Sequence, residues 1–259
     1  MRRLGRALRI AWYTLAGWLP VIFGLFYFGP FLLVTRLRLG SGTLWVEKAQ
    51  AFNHAFWKAY FRRIPFLSVS ARGLHRLPKD RAFILIANHS SFLDVPLLFS
   101  ILPEISGMAR DYLFRVPLLG IVLRALGFAA IGRMSRKDGT LSLLACRDLL
   151  EQGRPVLVMP EGERSAEGGL GRFSLGAFHL AALTQAPLVP AALKGLDAAL
   201  PRGRLIPQQA RRVPVTVEFF EPQSPPRSQD REDLRKAADR MRETLSAALR
   251  TGDPRGSES

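Results

Sequence analysis

Residues 82–94 read AFILIANHSSFLD, an apolar run followed by a polar turn and an aspartate. The apolar run is typical of a buried strand, and it places His89 where that strand gives way to a loop. Catalytic groups favour such loops because the rigid strand before them fixes their position. A histidine that is oriented by a carboxylate, here Asp94, can take a proton from a hydroxyl near neutral pH.

His89 and Asp94 can meet only if the chain turns between them. Five positions along a regular helix are about 140° apart, so the two side chains would not share a helix face. Asn88, Ser90 and Ser91 are suitable turn residues. The spacing alone therefore allows two interpretations. One is a base with its orienting carboxylate, and the other is a histidine in a turn followed by an aspartate at a helix N-cap.

Beyond residue 65, short apolar runs alternate with helical patterns. The predicted strands are Leu67–Ala71, Phe83–Ala87, Ile105–Ala109, Phe128–Ile131, Val156–Met159, Leu188–Leu193 and Val213–Phe220. The predicted helices are Val95–Ser100, Pro117–Leu126, Thr140–Gln152, Ser174–Gln185 and Gln229–Leu249. Alternation of this kind predicts an α/β fold, a sheet with helices on its faces. We expect one main domain at 65–250, an N-terminal segment at 1–64 and a disordered tail at 251–259.

The N-terminal segment contains 26 residues without a charge, from Ile10 to Thr35. This length is sufficient to cross a bilayer core, and it is too long for a secretory signal. Prolines and glycines interrupt the run, and arginines flank it on both sides, so the positive-inside rule does not fix its orientation. A straight span and a re-entrant hairpin are both possible. We favour the hairpin, because it places both basic flanks on the cytoplasmic surface.

A second amphipathic segment follows the uncharged run. Its apolar residues approximate a helical stripe: Leu44, Trp45, Phe52, Phe56, Tyr60 and Ile64. Such a helix can lie in a membrane interface or pack against the core of the domain, and the two readings are compatible.

The composition restricts the classes of function. The net charge is +16 and the pI is about 11.2, which fits an anionic membrane face, a phosphate-bearing substrate or nucleic acid. Nucleic acid is disfavoured because no zinc-finger, RRM or basic-zipper signature occurs. The single cysteine, Cys146, lies in a helical pattern and is expected to be a buried structural thiol. The histidines lack a zinc-binding spacing, so no metal site is predicted.

Four ordered blocks resemble those of the lysophospholipid acyltransferase family, the 1-acylglycerol-3-phosphate acyltransferases. They are NHSSFLD at 88–94, GFAAIGR at 127–133, MPEGERS at 159–165 and APLVPA at 186–191. The resemblance covers roughly residues 65–220, and four blocks in order are far more specific than any one alone. It implies a glycerolipid acyltransferase-like fold, a mixed sheet flanked by helices, with a membrane-embedded N-terminal segment. It also implies no cofactor, with acyl-CoA or acyl-carrier protein as the co-substrate.

The resemblance assigns roles to individual residues. His89 is the general base and Asp94 orients it. The residues expected to bind substrate are Arg133, Glu161, Gly162, Arg164, Ser165 and Arg110. The two arginines of the second and third blocks are the candidate phosphate ligands, because a guanidinium binds phosphate oxygens through two hydrogen bonds. From the residues themselves, Glu161 has an equal alternative, which is to pair with Arg164.

The expected reaction moves a fatty acyl chain to the sn-2 hydroxyl of 1-acylglycerol-3-phosphate, giving phosphatidic acid. We expect it at the inner membrane of the cell, with the catalytic domain on the cytoplasmic side. Glu163 stands where the family usually has threonine, Gly132 where many members have aspartate, and Arg110 where lysine is frequent. A carboxylate near the head-group site would disfavour a second anion, so another lysolipid such as a lyso-aminolipid is an alternative acceptor. A catalytically silent membrane lipid-binding protein is the other alternative.

Overall fold

The computed structural model describes residues 2–40, 42–116, 118–131, 136–162 and 170–251. Within these ranges the helices are α1 (Arg2–Leu39), α2 (Thr43–Arg63), α3 (Asp94–Ile101), α4 (Leu119–Ala125), α5 (Arg136–Glu151), α6 (Gly176–Thr184), α7 (Leu196–Ala199) and α8 (Arg231–Arg250). The strands are β1 (Leu67–Arg72), β2 (Ile84–Ala87), β3 (Ser106–Arg110), β4 (Ala129–Ile131), β5 (Val156–Val158), β6 (Leu188–Lys194) and β7 (Val213–Phe219).

The strands form one mixed sheet in the order β1-β7-β6-β2-β5-β3-β4. Every neighbouring pair is parallel except β6 and β7, which are antiparallel. Strands β2 to β6 therefore all end at one edge of the sheet, which we call the carboxyl edge, and β7 begins there. The predicted α/β class and all seven predicted strands are confirmed, each to within one residue at either end.

Helices cover both faces of the sheet. In β2, Leu85 and Ala87 belong to one hydrophobic core and Ile84 and Ile86 belong to the other, as the two-residue period of a strand requires. The first core includes residues of α1 to α4, and the second includes residues of α5, α6 and α8. All four residues of β2 are buried, because the strand lies inside the sheet and is covered on both faces.

The first helix corrects one expectation. The predicted re-entrant hairpin within Ile10–Thr35 is wrong, because α1 continues without reversal for 38 residues and contains Pro20 and Pro30. The chain turns only after Leu39 and returns as α2. At 1.5 Å per residue, α1 is about 57 Å long, so its two basic flanks lie at opposite ends of a long rod.

The glycines of α1 are contact points. A Cβ atom at Gly17 would lie 3.1 Å from Phe66, and one at Gly29 would lie 2.7 Å from Leu118. A Cβ atom at Gly24 would collide with the ring of Phe56 in α2. These small residues allow α1 to lie closely against the domain along much of its length.

The opposite side of α1 is exposed and apolar. Among the described residues, α1 is the one helix long and apolar enough to cross a membrane, and about a quarter of its most apolar stretch is buried (28%). The exposed large residues of this face are Leu4, Leu8, Trp12, Leu15, Leu19, Ile22, Phe23, Phe26, Tyr27, Leu33, Val34 and Leu37. Their spacing of three or four residues places them on one side of the helix, away from buried Val21, Phe28 and Leu32.

The amphipathic segment after the turn is α2, and most of its stripe is packed. Trp45, Tyr60 and Ile64 are buried in the first core, whereas Leu44 is exposed. Most apolar residues of this segment therefore pack against the core of the domain, as one of the two interpretations of the sequence predicted. Except for Thr251, the expected C-terminal tail lies outside the described residues.

Candidate functional site

His89 and Asp94 meet at the carboxyl edge, just after β2. The His89 Nδ1–H donates to Asp94 Oδ2 at 2.8 Å, and the same oxygen accepts the backbone N–H groups of Ser90 at 2.6 Å and Ser91 at 2.7 Å. The Asp94 side chain is fully buried, whereas the His89 side chain is 25% exposed. One buried carboxylate oxygen therefore fixes both the imidazole and the turn that carries it. The N-cap of α3 is Leu93 and Asp94 is the first residue of the helix, so the alternative of an aspartate at the N-cap is wrong by one position. The Asp94 carboxylate accepts from the turn before the helix, as an orienting carboxylate requires.

Two polar side chains anchor this turn to β6 and to the segment after α7. The Asn88 amide donates to the carbonyl of Leu193 at 2.9 Å and accepts the N–H of Leu193 at 2.8 Å, so it continues the pairing of β2 with β6 after the strand has ended. The Ser91 hydroxyl donates to the carbonyl of Leu200 at 2.8 Å. Asn88 and Ser91 are both buried, which makes these bonds costly to lose.

The third sequence block lies beside the same turn. Glu161 follows β5, and its carboxylate accepts the backbone N–H of His89 at 3.2 Å and that of Gly171 at 2.9 Å. Arg110, the last residue of β3, donates to the carbonyl of Gly162 at 3.2 Å. The structure therefore brings His89, Glu161, Gly162 and Arg110 together at the carboxyl edge, where parallel sheets place ligands.

The remaining predicted substrate-binding residues are Arg133, Arg164 and Ser165, and they lie outside the described residues. The alternative that Glu161 pairs with Arg164 also falls there. In sequence, Arg133 follows β4 by two residues and Arg164 follows Gly162 by two, so both come after strands that end at the carboxyl edge.

The comparisons with known proteins agree with this geometry. The sequence model of the family described as Acyltransferase matches residues 68–194. The chain is 32% identical to a 1-acyl-sn-glycerol-3-phosphate acyltransferase of Chlamydomonas reinhardtii over 84% of this chain and 65% of that protein. The crystal structure of a 1-acyl-sn-glycerophosphate acyltransferase from Thermotoga maritima covers 98% of this chain, and this chain covers all of it (100%), with a TM-score of 0.80 and 25% identity.

Residues 68–194 form a domain of the acyltransferase family.

The match to its plant and animal members is confined to part of each protein. A chloroplastic 1-acyl-sn-glycerol-3-phosphate acyltransferase of Arabidopsis thaliana is 34% identical over 54% of this chain and 39% of its own length. The human alpha form is 32% identical over 48% of this chain and 44% of its own length. The chain thus spans about two thirds of the algal relative and less than half of these two. The family model, at residues 68–194, contains strands β2 to β6, the His89 turn and the Glu161 loop.

An arginine that sequence reasoning missed supports the second acyltransferase block. Arg154 donates to the carbonyl of Leu126 at 2.8 Å and to the hydroxyl of Ser106. Its guanidinium lies where a Cβ atom at Gly127 would be, and Gly127 has a positive φ of 75°, so that position suits glycine on both counts. Burial lowers the pKa of the Arg154 guanidinium, and nearby Glu104 acts in the opposite direction. Arg154 thereby holds the turn that enters β4.

The catalytic turn also contacts α1. The ring of Phe92, three residues after His89, lies 5.8 Å from that of Trp18. Leu93 is buried beside Tyr13, Trp18 and Leu200 in a small apolar pocket. The apolar character of Phe92 and Leu93 indicates that the turn packs against another part of the protein. The sequence alone does not identify that part as α1.

Two further expectations concern reactive groups. Cys146 is fully buried, and burial raises the pKa of its thiol to about 12, which confirms the prediction of a buried thiol. Within the described ranges no three His, Cys, Asp or Glu residues are grouped so that they could hold a metal ion.

Proposed function

We propose that this protein is a membrane-bound acyltransferase that moves a fatty acyl chain from acyl-CoA or acyl-carrier protein to the sn-2 hydroxyl of 1-acylglycerol-3-phosphate. The observation that carries the proposal is the 2.8 Å bond between His89 and buried Asp94 at the carboxyl edge. The relatives named above act on 1-acylglycerol-3-phosphate according to their names, and this supports the choice of acceptor.

The proposed reaction is a direct transfer. The sn-2 hydroxyl oxygen attacks the thioester carbonyl carbon, and His89 takes the hydroxyl proton. Because His89 Nδ1 donates to Asp94, the proton would go to Nε2. When the carbon–sulfur bond breaks, the proton passes to the leaving thiolate, and the products are phosphatidic acid and the free thiol of the donor. Because the acceptor hydroxyl is itself the nucleophile, this route needs no enzyme nucleophile. Neither Ser90 nor Ser91 lies in a G-x-S-x-G elbow, which is consistent with it.

Arg133 and Arg164 are proposed to bind the phosphate of the acceptor. Their sequence positions after β4 and after the Glu161–Gly162 loop support this role, and a guanidinium keeps its charge at any working pH. Arg110 contributes a further positive charge at the same edge, where it already donates to Gly162. Glu161 is proposed to position His89, because it accepts the backbone N–H of that residue.

Membrane attachment is proposed to occur along the exposed face of α1. A bilayer core is about 30 Å thick, whereas α1 is about 57 Å long and is packed on the domain through Val21, Phe28 and Leu32. Crossing the bilayer would expose those buried residues to lipid and break their contacts. We therefore propose that α1 lies in the interface with its apolar face in the lipid, on the cytoplasmic side of the inner membrane.

Membrane washing tests the attachment. High salt and carbonate should leave the protein in the membrane fraction and detergent should release it, because salt does not reverse apolar burial. In a Cys146→Ser background, cysteines that replace Arg3 and Arg38 should both react with an impermeant thiol reagent from the same side. Reaction from opposite sides would show that α1 crosses the bilayer.

The activity test combines a labelled acyl donor with a panel of lysolipids, and the products are read by lipid mass spectrometry. We expect phosphatidic acid from 1-acylglycerol-3-phosphate with the native protein. We expect the rate of acyl transfer to fall by roughly 10²–10⁴ for His89→Ala. The control His75→Ala, on the exposed surface, should leave the rate unchanged. If the protein prefers a lyso-aminolipid, that lipid replaces 1-acylglycerol-3-phosphate as the acceptor in the proposal. Near-normal turnover by His89→Ala would contradict the mechanism. Absence of transfer to every acceptor would favour a silent lipid-binding protein.

A further inference from the structure

The connection between β6 and β7 has an unusual composition. Residues 200–212 read LPRGRLIPQQARR, with four arginines and no acidic residue. Leu205 and Ile206, at its centre, are 58% and 51% exposed. An exposed apolar pair among arginines has no evident use in a protein surface that faces only water.

This segment, which we call the arginine loop, lies at the carboxyl edge. It follows β6, which ends there, and precedes β7, which begins there. The Ser91 hydroxyl donates to the carbonyl of Leu200 and ties the start of the loop to the catalytic turn. At its other end, Arg212 donates to the carbonyl of Leu67 at 2.7 Å. The loop is therefore held on the same side of the molecule as His89.

The arginine loop also lies along the N-terminal half of α1. The Trp18 indole N–H donates to the carbonyl of Leu205 at 2.7 Å, and the Arg9 guanidinium donates to the carbonyl of Ala210 at 3.2 Å. Exposed Leu15 and Leu19 of α1 are close in sequence to Trp18. Through its bond to Trp18, the loop thus lies next to the part of α1 that carries these exposed residues.

The charged residues of the arginine loop and of α1 all have one sign. The first 46 residues of the chain contain arginines at 2, 3, 6, 9, 36 and 38 and no aspartate or glutamate. Those at 3, 6 and 9 lie in the N-terminal half of α1, which the loop contacts, whereas those at 36 and 38 lie at the other end of the helix. The N-terminal half of α1 and the loop therefore combine seven arginines, and neither segment contains an acidic residue. A cluster of arginines beside apolar side chains is attracted to the anionic lipid headgroups of a charged membrane leaflet.

We propose that the arginine loop is a binding site for anionic phospholipid headgroups, which inserts Leu205 and Ile206 into the membrane interface beside the active site. The proposal rests on the membrane attachment proposed above and adds a second contact to it. An anionic acyl donor would also be attracted by arginines, but it would not account for an exposed leucine and isoleucine in a loop that lies next to the exposed residues of α1.

A fluorescent probe on the loop tests the insertion directly. The full-length protein with Leu205→Cys in a Cys146→Ser background would carry an environment-sensitive dye at residue 205. Vesicles of phosphatidylcholine mixed with phosphatidylglycerol should raise the fluorescence at far lower lipid concentration than phosphatidylcholine alone. The same dye on Leu74→Cys is the matched control. Leu74 is 45% exposed at the opposite edge of the sheet, and its signal should stay unchanged.

Charge removal tests the headgroup contact. Arg204→Gln/Arg211→Gln should weaken the apparent affinity of the residue 205 probe for the mixed vesicles by roughly 25-fold, about fivefold for each arginine. High salt should reduce this difference, because the Debye length is about 3 Å at 1 M. Arg227→Gln/Arg231→Gln removes the same charge from exposed positions next to the N-terminal end of α8 and should have no effect on the probe.

Other outcomes separate this proposal from the proposed function. If the protein binds vesicles and the probe at residue 205 does not respond, the loop proposal is wrong and the attachment through α1 stands. If Arg204→Gln/Arg211→Gln raises the KM for the acyl donor and leaves the probe response unchanged, the arginines serve the donor and the loop proposal is wrong. If the full-length protein does not bind vesicles at all, both membrane proposals fail, and activity in detergent still tests the chemistry.

Discussion

Asp94 has two roles, to accept hydrogen bonds and to carry a negative charge. Its replacement by asparagine separates them. Asp94 Oδ2 accepts all three hydrogen bonds, from His89, Ser90 and Ser91, and Oδ1 is buried without a hydrogen-bond partner in the described structure. An asparagine can place its single oxygen at the Oδ2 position and keep all three donors. We therefore expect Asp94→Asn to preserve the turn and the histidine tautomer, to lose the negative charge, and to bury an amide NH2 group at the Oδ1 position.

The charge has a calculable effect on the rate. At an effective dielectric constant of about 20, opposite unit charges about 4 Å apart attract by about 4 kcal/mol. This attraction favours the imidazolium that forms when His89 takes the proton. Its loss corresponds to a fall of roughly 10³ in kcat, since each factor of ten is about 1.4 kcal/mol. The free energy of unfolding should fall by about 3 kcal/mol, because each of the three bonds to a neutral oxygen is weaker than a bond to a carboxylate by about 1 kcal/mol.

Replacement by alanine should behave differently. Asp94→Ala leaves the N–H groups of Ser90 and Ser91 without their acceptor, at about 1–3 kcal/mol for each buried donor, so unfolding should become easier by about 2–6 kcal/mol. Steady-state kinetics and denaturant titration of both variants, with exposed Asp239→Asn as a control, provide the comparison. The reasoning is refuted if the asparagine variant keeps kcat within about tenfold of the native value.

Three further predictions address packing, reactivity and positioning. Gly24→Ala should destabilise the protein by about 1–3 kcal/mol in thermal unfolding because its Cβ collides with a ring of α2, whereas Gly5→Ala, with open space around it, should be neutral or slightly stabilising. Cys146 should resist thiol reagents at pH 8 and react after denaturation. Its thiol pKa is raised from 9.0 to about 12, so its contribution to stability is complete below pH 9 and is lost as the pH rises towards 12. Glu161→Gln can accept only one of the two N–H groups that the glutamate accepts. It should therefore lower both kcat and the free energy of unfolding, the latter by about 1–3 kcal/mol; unchanged kcat would show that Glu161 does not position the base.

The sheet could be predicted because its strands carry their signal locally. β2 is a continuous apolar run that is buried on both faces, and β7 alternates buried and partly exposed residues. The short helix α7 was not predicted, since four residues such as Leu196–Ala199 are too few to show a period. The catalytic pair could be located but not oriented, because the three bonds to one oxygen of Asp94 depend on a turn that spacing does not define.

The path of α1 could not be predicted, for a physical reason. Proline and glycine are local signals of interruption, and Pro20, Gly24 and Pro30 suggest that the uncharged run reverses. In the structure, contacts from residues distant in the chain override these signals, since Gly24 faces Phe56 and Gly17 faces Phe66. Asn88 and Ser91 are similar cases, because their partners lie about 100 residues away, on β6 and at the start of the arginine loop.

The position of His89 relative to α1 bears on how a lipid acceptor would reach the base. Removing an acyl chain of about sixteen carbons from the bilayer into water would cost roughly 12 kcal/mol, at about 0.8 kcal/mol for each methylene group. A site that required this step would bind its acceptor very weakly. Here Phe92 of the catalytic turn is 46% exposed and contacts Trp18, which in turn donates to Leu205. The base, the helix proposed to contact lipid and the arginine loop therefore share one edge of the sheet. An acceptor on that edge could keep its chain against apolar surface while its headgroup reaches the arginines and its hydroxyl reaches His89.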